Sequence, residues 1–245
     1  MEICVVGCSH QTAALAIREK LAFSPEQART ALQLWENRFP WVEVVILSTC
    51  NRVEFYLASE LLPLPSVSDV MGFLAECRGL TEEEFAHACF ALYTPQSLEH
   101  LFRVASGLES MVLGEAQILS QVKQAYQWST ELGVVGPLLH IVFQGAFRAA
   151  RRVASETGIQ KRRLSIPSIA VGDFARAVFE RFEDKLVLVI GAGKMGEETL
   201  RYLRQEGAKQ IVVVNRHLDK ARQLAERWQG NVRPWEELPL VLREA

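Results

Sequence analysis

The sequence predicts an α/β protein with two modules, an N-terminal α+β part and a C-terminal part of the parallel βαβ type. Three observations support this fold class. Strand-like and helical segments alternate from the start of the chain, and a helical stretch follows from about residue 95 to 157. An apolar strand then runs directly into a glycine-rich turn and a helix. We therefore expect a first domain at residues 1–157 and a second at residues 158–245.

The first 58 residues follow a β-α-β-β order. The helix in this segment has a clear start, because Ser24 can cap it, Pro25 suits its first position and Gln27 completes a capping box. The remaining predicted elements of this layer are strands at about residues 42–47 and 53–58, a helix that begins near Thr81 and a strand at about residues 89–93.

The composition is that of an ordinary soluble globular protein. Hydrophobic residues make up 49% of the 245 residues, charged residues make up 23%, and the net charge of −2 requires neither a nucleic-acid nor a membrane partner. There is no apolar run long enough for a membrane span and no signal-type N-terminus. The five cysteines form no Cys-x-x-Cys pair, so we expect a reducing, cytoplasmic setting without disulfides or a metal site.

A short polar segment, Ser48-Thr49-Cys50-Asn51-Arg52, connects the two predicted strands at residues 42–47 and 53–58. A cysteine in such a connection is held on a rigid scaffold and can still be reached, which suits a nucleophile. Arg52 could stabilise its thiolate or, alternatively, bind a substrate carboxylate. The other interpretation is a hairpin loop that merely contains a cysteine.

The second module carries a Gly-x-Gly-x-x-Gly motif in the context that dinucleotide binding requires. An apolar strand at residues 185–190 precedes it, a helix follows to about residue 207, and a second strand spans about residues 211–214. We therefore predict a partial Rossmann-type domain that binds a pyrophosphate at the helix N-terminus, unless the domain has lost its ligand.

The end of the second strand of this module selects between the two nicotinamide cofactors. An acidic residue there would bind a ribose 2′-hydroxyl, but the chain has Asn215 and Arg216 instead. Because Arg216 can pair with a 2′-phosphate, the sequence favours NADP over NAD. Arg216 could also be a solvated surface residue.

The helical middle contains polar residues whose pattern alone does not establish a role. Gln117 and Gln121 share a helix face, His100 lies next to Glu99, and Ser110 could merely cap a turn. Residues 148–163 hold a basic cluster that could contact nucleic-acid phosphates or form a solvated face: Arg148, Arg151, Arg152, Lys161, Arg162 and Arg163.

Three segments, at residues 48–54, 106–119 and 191–196, together resemble the signatures of the glutamyl-tRNA reductase family, in the same order and spacing. The resemblance covers essentially the whole chain. It implies reduction of glutamyl-tRNA to glutamate-1-semialdehyde by NADPH, through a cysteine thioester, as the entry to tetrapyrrole (porphyrin) synthesis. It also implies glutamyl-tRNA as substrate, a downstream aminomutase that receives the aldehyde, and a homodimer formed through a C-terminal domain.

The resemblance also assigns roles to individual residues. Cys50 is implied to be the nucleophile, and His100 matches a histidine that is important for activity. The residues implied to contact the glutamyl moiety are Thr49, Cys50, Asn51, Arg52, Ser110, Glu115, Ala116, Gln117 and Gln121. The residues assigned to NADPH are Gly191, Ala192, Gly193, Lys194, Met195 and Gly196, together with Asn215 and Arg216 at the second strand.

The sequence departs from the family pattern at its C-terminal side. We count two strands in the second module and a helix at about residues 235–245. We therefore expect that the rest of the nucleotide domain and the dimerisation domain are missing and that this polypeptide alone reduces substrate poorly. One alternative is a relative that binds glutamyl-tRNA or a pathway partner without reducing it. A second is a thioester-forming aldehyde dehydrogenase acting on a free acyl substrate, which the basic segment disfavours.

Overall fold

The structure is a computed structural model that describes residues 2–60, 63–159, 166–175, 178–179 and 181–245. The chain divides into two compact units, residues 1–162 and residues 163–245. No helix within these described residues is both long and apolar enough to cross a membrane.

The first unit contains four strands and six helices within its described residues. These are β1 (Glu2–Ser9), α1 (Leu15–Leu21), α2 (Pro25–Arg38), β2 (Glu43–Ser48), β3 (Arg52–Ser59), α3 (Val67–Arg78), β4 (Phe90–Tyr93), α4 (Gln96–Ala105), α5 (Ala116–Glu131) and α6 (Pro137–Glu156). The strands form one antiparallel sheet in the order β2-β3-β1-β4.

Helices cover both faces of this sheet, and each face has its own core. Cys4, Val6 and Cys8 of β1 face a core that includes the buried sides of α2 and α3. Ile3 and Val5, which alternate with them, face a second core formed with α4, α5 and α6. Because helices cover both faces, all residues of β3 and all but the first residue of β1 are buried, including the polar side chains of Arg52 and Glu54.

The register of β1 against β3 places the Cys50 turn beside the end of β1. Glu2 lies opposite Ser59 and Ser9 lies opposite Arg52, so the last residue of β1 meets the first residue of β3. Gly7 lies opposite Glu54 at a point where the two backbones approach closely. A Cβ atom on Gly7 would stand 2.2 Å from the carbonyl oxygen of Val53 and 2.7 Å from the Cα of Glu54.

The predicted elements of the first unit are largely confirmed. The Ser24–Gln27 capping box forms at the start of α2. The strands β2 and β3 begin and end within one residue of the predicted limits. The helix predicted from Thr81 is wrong: the local cap with Glu84 forms, but only short 3-10 turns follow at Glu82–Glu84 and Ala86–Ala88. The chain turns there to bury Phe85 in the first core.

The second unit has a parallel sheet with helices between its strands. Its main elements are β5 (Leu186–Ile190), α8 (Lys194–Gln205), β6 (Gln210–Val214), α9 (Leu218–Arg227), β7 (Asn231–Arg233) and α10 (Leu238–Glu244), after a helical segment whose described parts are α7 (Ile166–Ile169) and a π-helix at Ala170–Ala175. The order β5-β6-β7, with every pair parallel, confirms the predicted partial Rossmann-type architecture.

Two expectations for this unit need correction. We count two strands from the sequence, but β7 adds a third beside β6; its three residues, Asn-Val-Arg, lack the apolar run by which a buried strand is recognised. Before β5, the sequence also predicts a helix from Ser168 to about residue 182. The structure has instead a short α-helix, Ile166–Ile169, that widens into a π-helix at Ala170–Ala175, and residues 176, 177 and 180 lie outside the described residues.

Gly7→Ala should destabilise the first unit by about 2 kcal/mol, because the new methyl group meets backbone atoms of β3 that cannot move without breaking the ladder. Urea unfolding of the full chain, followed by circular dichroism, measures the loss. Gly72→Ala is the matched control: it lies inside α3, and its Cβ would approach only the flexible Glu82 side chain. Equal effects of the two substitutions would contradict the close-approach argument.

Candidate active site

The Cys50 turn joins β2 to β3 and is held by Thr49. The Thr49 hydroxyl oxygen accepts hydrogen bonds from the backbone N–H groups of Asn51 and Arg52, both at 3.1 Å. The Thr49 amide donates to the Arg52 carbonyl at 2.8 Å. Cys50 itself is exposed at the tip. The turn therefore presents the thiol to solvent on a fixed backbone.

Arg18, on α1, holds the same turn through hydrogen bonds. It is not predicted as a site residue from the sequence. Its guanidinium Nη1 donates to the Cys50 carbonyl at 2.5 Å and to Asn51 Oδ1 at 3.1 Å, and its Nε donates to the Ala13 carbonyl at 3.2 Å. A cation thus lies directly beside the backbone of the nucleophile candidate. Arg18 and Cys50 lie 32 positions apart in the sequence, so no local pattern predicts the contact.

His10 contributes a second contact from the end of β1. Its amide donates to the Asn51 carbonyl at 2.8 Å. Burial lowers the pKa of the His10 imidazole, and the nearby charges of Arg52 and Arg18 lower it further, while Glu109 opposes them. The shift favours the neutral imidazole, and its Nδ1 atom is buried without a hydrogen-bond partner among the described residues.

Behind the turn, Arg52 and Glu54 form a buried ion pair. Their side chains are 2% and 0% exposed, and Arg52 Nη1 donates to Glu54 Oε1 at 2.7 Å. The same Oε1 atom lies 3.0 Å from His100 Nε2, and Tyr56 donates its hydroxyl to Oε2 at 2.5 Å. Every strong partner of Glu54 is therefore a polar side chain from the sheet or from α4.

The electrostatics of this cluster keep Glu54 ionised. Burial raises the pKa of Glu54, but the hydrogen bond from His100, the charge of Arg52 and the hydrogen bond from Tyr56 outweigh it, so the pKa lies below its ordinary value. Burial, together with the neighbouring Glu54 charge, raises the pKa of Tyr56 well above its ordinary range. Tyr56 is therefore a neutral hydrogen-bond donor.

Arg52 is less available than the sequence suggested. Its Nη2 donates to the Glu109 carbonyl at 2.5 Å, so both terminal nitrogens of the guanidinium already have protein partners. Any contact to a substrate carboxylate must use its remaining N–H groups. His100 lies next to Glu99 in the sequence, but the carboxylate that its ring contacts is Glu54.

The segment at residues 106–115 brings Glu109 and Ser110 to this network. It closes on itself where the Gly114 amide donates to the Gly107 carbonyl at 2.9 Å, and both glycines have positive φ angles. The Glu109 carboxylate accepts hydrogen bonds from Arg103 at 2.6 Å and Gln11 at 3.0 Å. Ser110 is half-buried and follows the residue whose carbonyl holds Arg52.

The remaining predicted substrate residues lie where α5 begins. Glu115 precedes this helix, Ala116 is its first residue, and Gln117 and Gln121 lie one turn apart, exposed and half-buried respectively. Within the described residues, neither glutamine makes a hydrogen bond to the Cys50 turn. The structure therefore joins Thr49, Asn51, Arg52, His100 and the segment before Ser110 in one bonded cluster, and it places the two glutamines outside that cluster.

The glycine loop of the second unit has the geometry of a phosphate cradle. Gly191 has a φ of +107°, and a Cβ on Gly196 would stand 2.4 Å from the Gly191 carbonyl oxygen. Gly193 caps α8 without any side-chain hydrogen bond, and its own Cβ position is open space. Ala192 is half-buried, and Lys194 and Met195 are exposed. Uncapped N–H groups at an open helix N-terminus fit a pyrophosphate.

At the end of β6, Arg216 lies over an aromatic ring. Its guanidinium stands 5.3 Å from the centroid of Trp235, while Asn215 donates its side-chain amide to the His217 carbonyl at 2.9 Å. Arg216 is exposed but held by the stack. Trp235 was not predicted as a site residue, because only the tertiary fold brings it to Arg216.

The basic segment is only partly described. Arg148 and Arg151 are exposed on α6, whereas both Nε and Nη2 of Arg152 are paired with Glu156, at 2.8 and 3.0 Å. Lys161, Arg162 and Arg163 lie outside the described residues. Among the residues that are described, no group of three His, Cys, Asp or Glu side chains could hold a metal ion.

Comparison of the sequence with known proteins shows the family to which the chain belongs. Residues 6–157 match the family model described as the N-terminal domain of glutamyl-tRNA(Glu) reductase. A glutamyl-tRNA reductase from Rhodopirellula baltica is 43% identical over 97% of this chain. The chain belongs to the glutamyl-tRNA reductase family.

Other relatives extend the match over both units of this family member. A glutamyl-tRNA reductase from Geobacillus kaustophilus is 42% identical over 100% of the chain. The solved glutamyl-tRNA reductase from Methanopyrus kandleri is 32% identical over 99% of the chain, with a TM-score of 0.62. The chain spans about half the length of the relatives it matches, 56%, 54% and 56% respectively.

The second unit has its own family match. Residues 173–245 match the family model described as shikimate / quinate 5-dehydrogenase. Together with membership of the glutamyl-tRNA reductase family, this match implies a nicotinamide cofactor, which the open glycine cradle fits.

The depressed pKa of Glu54 predicts a pH-dependent stability. The ionised carboxylate contributes fully above its unfolded-state pKa of about 4.3 and loses its contribution as pH falls through the lower folded-state value. Glu54→Gln should therefore cost about 3 kcal/mol near neutrality and progressively less below about pH 4. Urea unfolding across this range measures the difference.

Glu131→Gln provides the control, because Glu131 also pairs with an arginine, Arg29, but at the solvent-exposed surface. It should change stability little at any pH. A Glu54→Gln deficit that stayed constant from neutral to acid pH would contradict the ion-pair explanation.

Proposed function

We propose that the protein containing this chain reduces glutamyl-tRNA to glutamate-1-semialdehyde, with the covalent step at Cys50 and with NADPH bound by the second unit. One observation carries the proposal. In a member of this family, an exposed thiol stands on a turn braced by Arg18 and Thr49, directly before a buried network that contains Arg52 and His100. We further propose that the aldehyde product leads into tetrapyrrole synthesis and that the reaction takes place in the cytoplasm, where free thiols such as that of Cys50 stay reduced.

The reaction begins when the Cys50 thiolate attacks the ester carbonyl that links glutamate to the tRNA ribose. A C–S bond forms, the ester C–O bond breaks, and the ribose oxygen takes up a proton as it leaves. His100 is our candidate for the donor of that proton. The products are free tRNA and a glutamyl thioester on Cys50. When bound, the nicotinamide cofactor supplies the hydride that converts this acyl group to an aldehyde. Release of the aldehyde restores the Cys50 thiolate.

The residues around the thiol suit recognition of the glutamyl group. Asn51 and Ser110 lie within or next to the bonded cluster, and Glu115, Gln117 and Gln121 provide polar groups at the start of α5. We assign substrate contacts to these residues and to the remaining N–H groups of Arg52. The exposed Arg148 and Arg151 suit the tRNA phosphates.

NADPH is the cofactor that the second unit favours. The cradle at residues 191–196 would hold the pyrophosphate through backbone N–H groups. Arg216, oriented by Trp235, would pair with the 2′-phosphate, and no carboxylate takes the place of Asn215 to repel it.

The two alternatives are less well supported. A relative that only binds glutamyl-tRNA is not favoured, because identity to the reductases extends over both units and the cysteine and glycine loop are both present. An aldehyde dehydrogenase acting on a free acyl substrate is not favoured, because the first unit matches a domain model specific to glutamyl-tRNA reductases.

Cys50→Ser should lower covalent labelling of the chain by [14C]glutamyl-tRNA at least ~100-fold, because a neutral hydroxyl is a much weaker nucleophile than a thiolate. The measurement is acid-quenched labelling without nicotinamide cofactor, followed by release of the label with hydroxylamine. Cys77→Ser, on α3, is the matched control and should label like the wild type. Labelling that persisted in Cys50→Ser would rule out Cys50 as the nucleophile.

Arg216→Glu should reduce the affinity for NADP⁺ relative to NAD⁺ by at least ~10-fold, because it replaces a charge-assisted pair with repulsion of the 2′-phosphate. Calorimetric titration of the full chain with each nucleotide gives this ratio. Arg243→Glu, an equal charge change on α10, is the control and should leave the ratio unchanged. An unaltered ratio in Arg216→Glu would refute the assigned selectivity and leave the role of Cys50 untouched.

A further inference from the structure

We propose that Glu54 is the positioning residue of this site, and that its Oε1 atom sets both the tautomer of His100 and the orientation of Arg52. The proposal rests on the proposed function, since both partners are assigned there to the reaction at Cys50. It gives a role to a buried carboxylate whose side-chain partners are Arg52, Tyr56 and His100.

The burial of Glu54 is the first step of the argument. Its side chain is completely inaccessible in the middle of β3, where its neighbours Val53 and Phe55 are apolar core residues. An ionised carboxylate in such a place costs free energy unless charged and polar donors compensate it. Replacing a buried ion pair by apolar residues of similar volume is often neutral or stabilising, so packing alone does not require a charge here. The charge is retained together with three donors, and two of them, Arg52 and His100, are site residues.

The contact to His100 defines which ring nitrogen can react. A carboxylate only accepts hydrogen bonds, so the Nε2 atom 3.0 Å from Glu54 Oε1 must carry a proton. His100 as a proton donor is therefore the imidazolium, with both ring nitrogens protonated. It gives up the Nδ1 proton to the leaving ribose oxygen, and the neutral ring that remains keeps the Nε2 proton and has its free electron pair on Nδ1. The ring is held from two other sides, stacked on Tyr56 at 6.5 Å and edge-on to Phe90 at 5.3 Å between centroids.

The contact to Arg52 uses the same oxygen atom. Glu54 Oε1 holds Nη1 at 2.7 Å, and the Glu109 carbonyl holds Nη2 at 2.5 Å. Two fixed points on a planar guanidinium determine the directions of its remaining N–H groups. The Glu54 Oε1 atom thus contacts both His100, the proposed proton donor, and Arg52, a proposed substrate-binding residue. Tyr56 occupies the other oxygen and leaves Oε1 to these two residues.

The first experiment measures the wild-type protein and uses a variant only to assign the signals. Long-range ¹H–¹⁵N correlation spectra of the full chain with ¹⁵N-labelled histidine, in mildly alkaline buffer, report the tautomer of His100, assigned by comparison with His100→Gln. The proposal expects the Nε2–H form. A dominant Nδ1–H form would overturn it. This readout is independent of catalysis, so it stands even if the chain forms no acyl-enzyme and the proposed function fails.

The second experiment is a double-mutant cycle with Glu54→Gln and His100→Gln. Single-turnover acylation of Cys50 by glutamyl-tRNA should slow at least ~10-fold in each single variant. In the His100→Gln background, Glu54→Gln should change the rate constant less than ~3-fold, yet still raise the half-saturating concentration of substrate through Arg52. Independent, multiplying losses in the rate constant would overturn the proposal.

Glu43→Gln is the matched structural control. Glu43 is another carboxylate of the sheet; it is half-buried and accepts hydrogen bonds from the Leu138 and Leu139 amides at the start of α6. It should lower stability without changing the acylation rate constant. An equal slowing of acylation by Glu43→Gln would show that loss of stability alone explains the Glu54→Gln effect, and would overturn the proposal. If Glu54→Gln does not fold, the tautomer of the wild-type protein decides.

Discussion

The fold of the first unit depends on the pairing of β1 with β3, an antiparallel ladder of eight residue pairs. It pairs Glu2 with Ser59 at one end and Ser9 with Arg52 at the other, and both faces of it are buried under helices. A slip of one residue would turn Phe55 and Arg52 to the opposite faces, placing a cation in an aromatic core and an aromatic ring in the polar cluster. The same register that fills the two cores therefore also determines where the polar residues behind Cys50 lie.

This arrangement separates an exposed thiol from the buried charged side chains behind it. The thiol is exposed, while the groups that orient its surroundings are buried and paired with one another. Buried charges that are fully hydrogen-bonded are stiff, since any movement leaves one of them unpaired. Arg52 is thus better understood as a fixed part of the protein with a few N–H groups to offer than as a free clamp for substrate.

Much of this organisation could be predicted from local sequence, and the exceptions have a common physical cause. The Ser24 capping box, the limits of β2 and β3 and the Gly-x-Gly-x-x-Gly turn are encoded within a few neighbouring residues. The strand β7 was missed because its three residues carry no periodic pattern. The partners of the site residues were missed for another reason: they come from distant segments, with His100 lying 46 residues after Glu54 and Trp235 meeting Arg216 only in the fold. The family resemblance named His100 without indicating its carboxylate partner.

The long separation between these partners also bears on how the protein is synthesised. The Cys50 turn and the two charges behind it leave the ribosome well before the segments that complete the network. Glu109, whose carbonyl binds Arg52, is synthesised 57 residues after Arg52, and His100 is synthesised 46 residues after Glu54. During that interval the Cys50 thiol, Arg52 and Glu54 are already present in the nascent chain, and the two charged side chains can be hydrated by water until their later partners are synthesised. The surroundings of the proposed nucleophile are therefore completed late in synthesis, and a chain interrupted before α4 would contain Cys50 without the partners of Arg52 and Glu54.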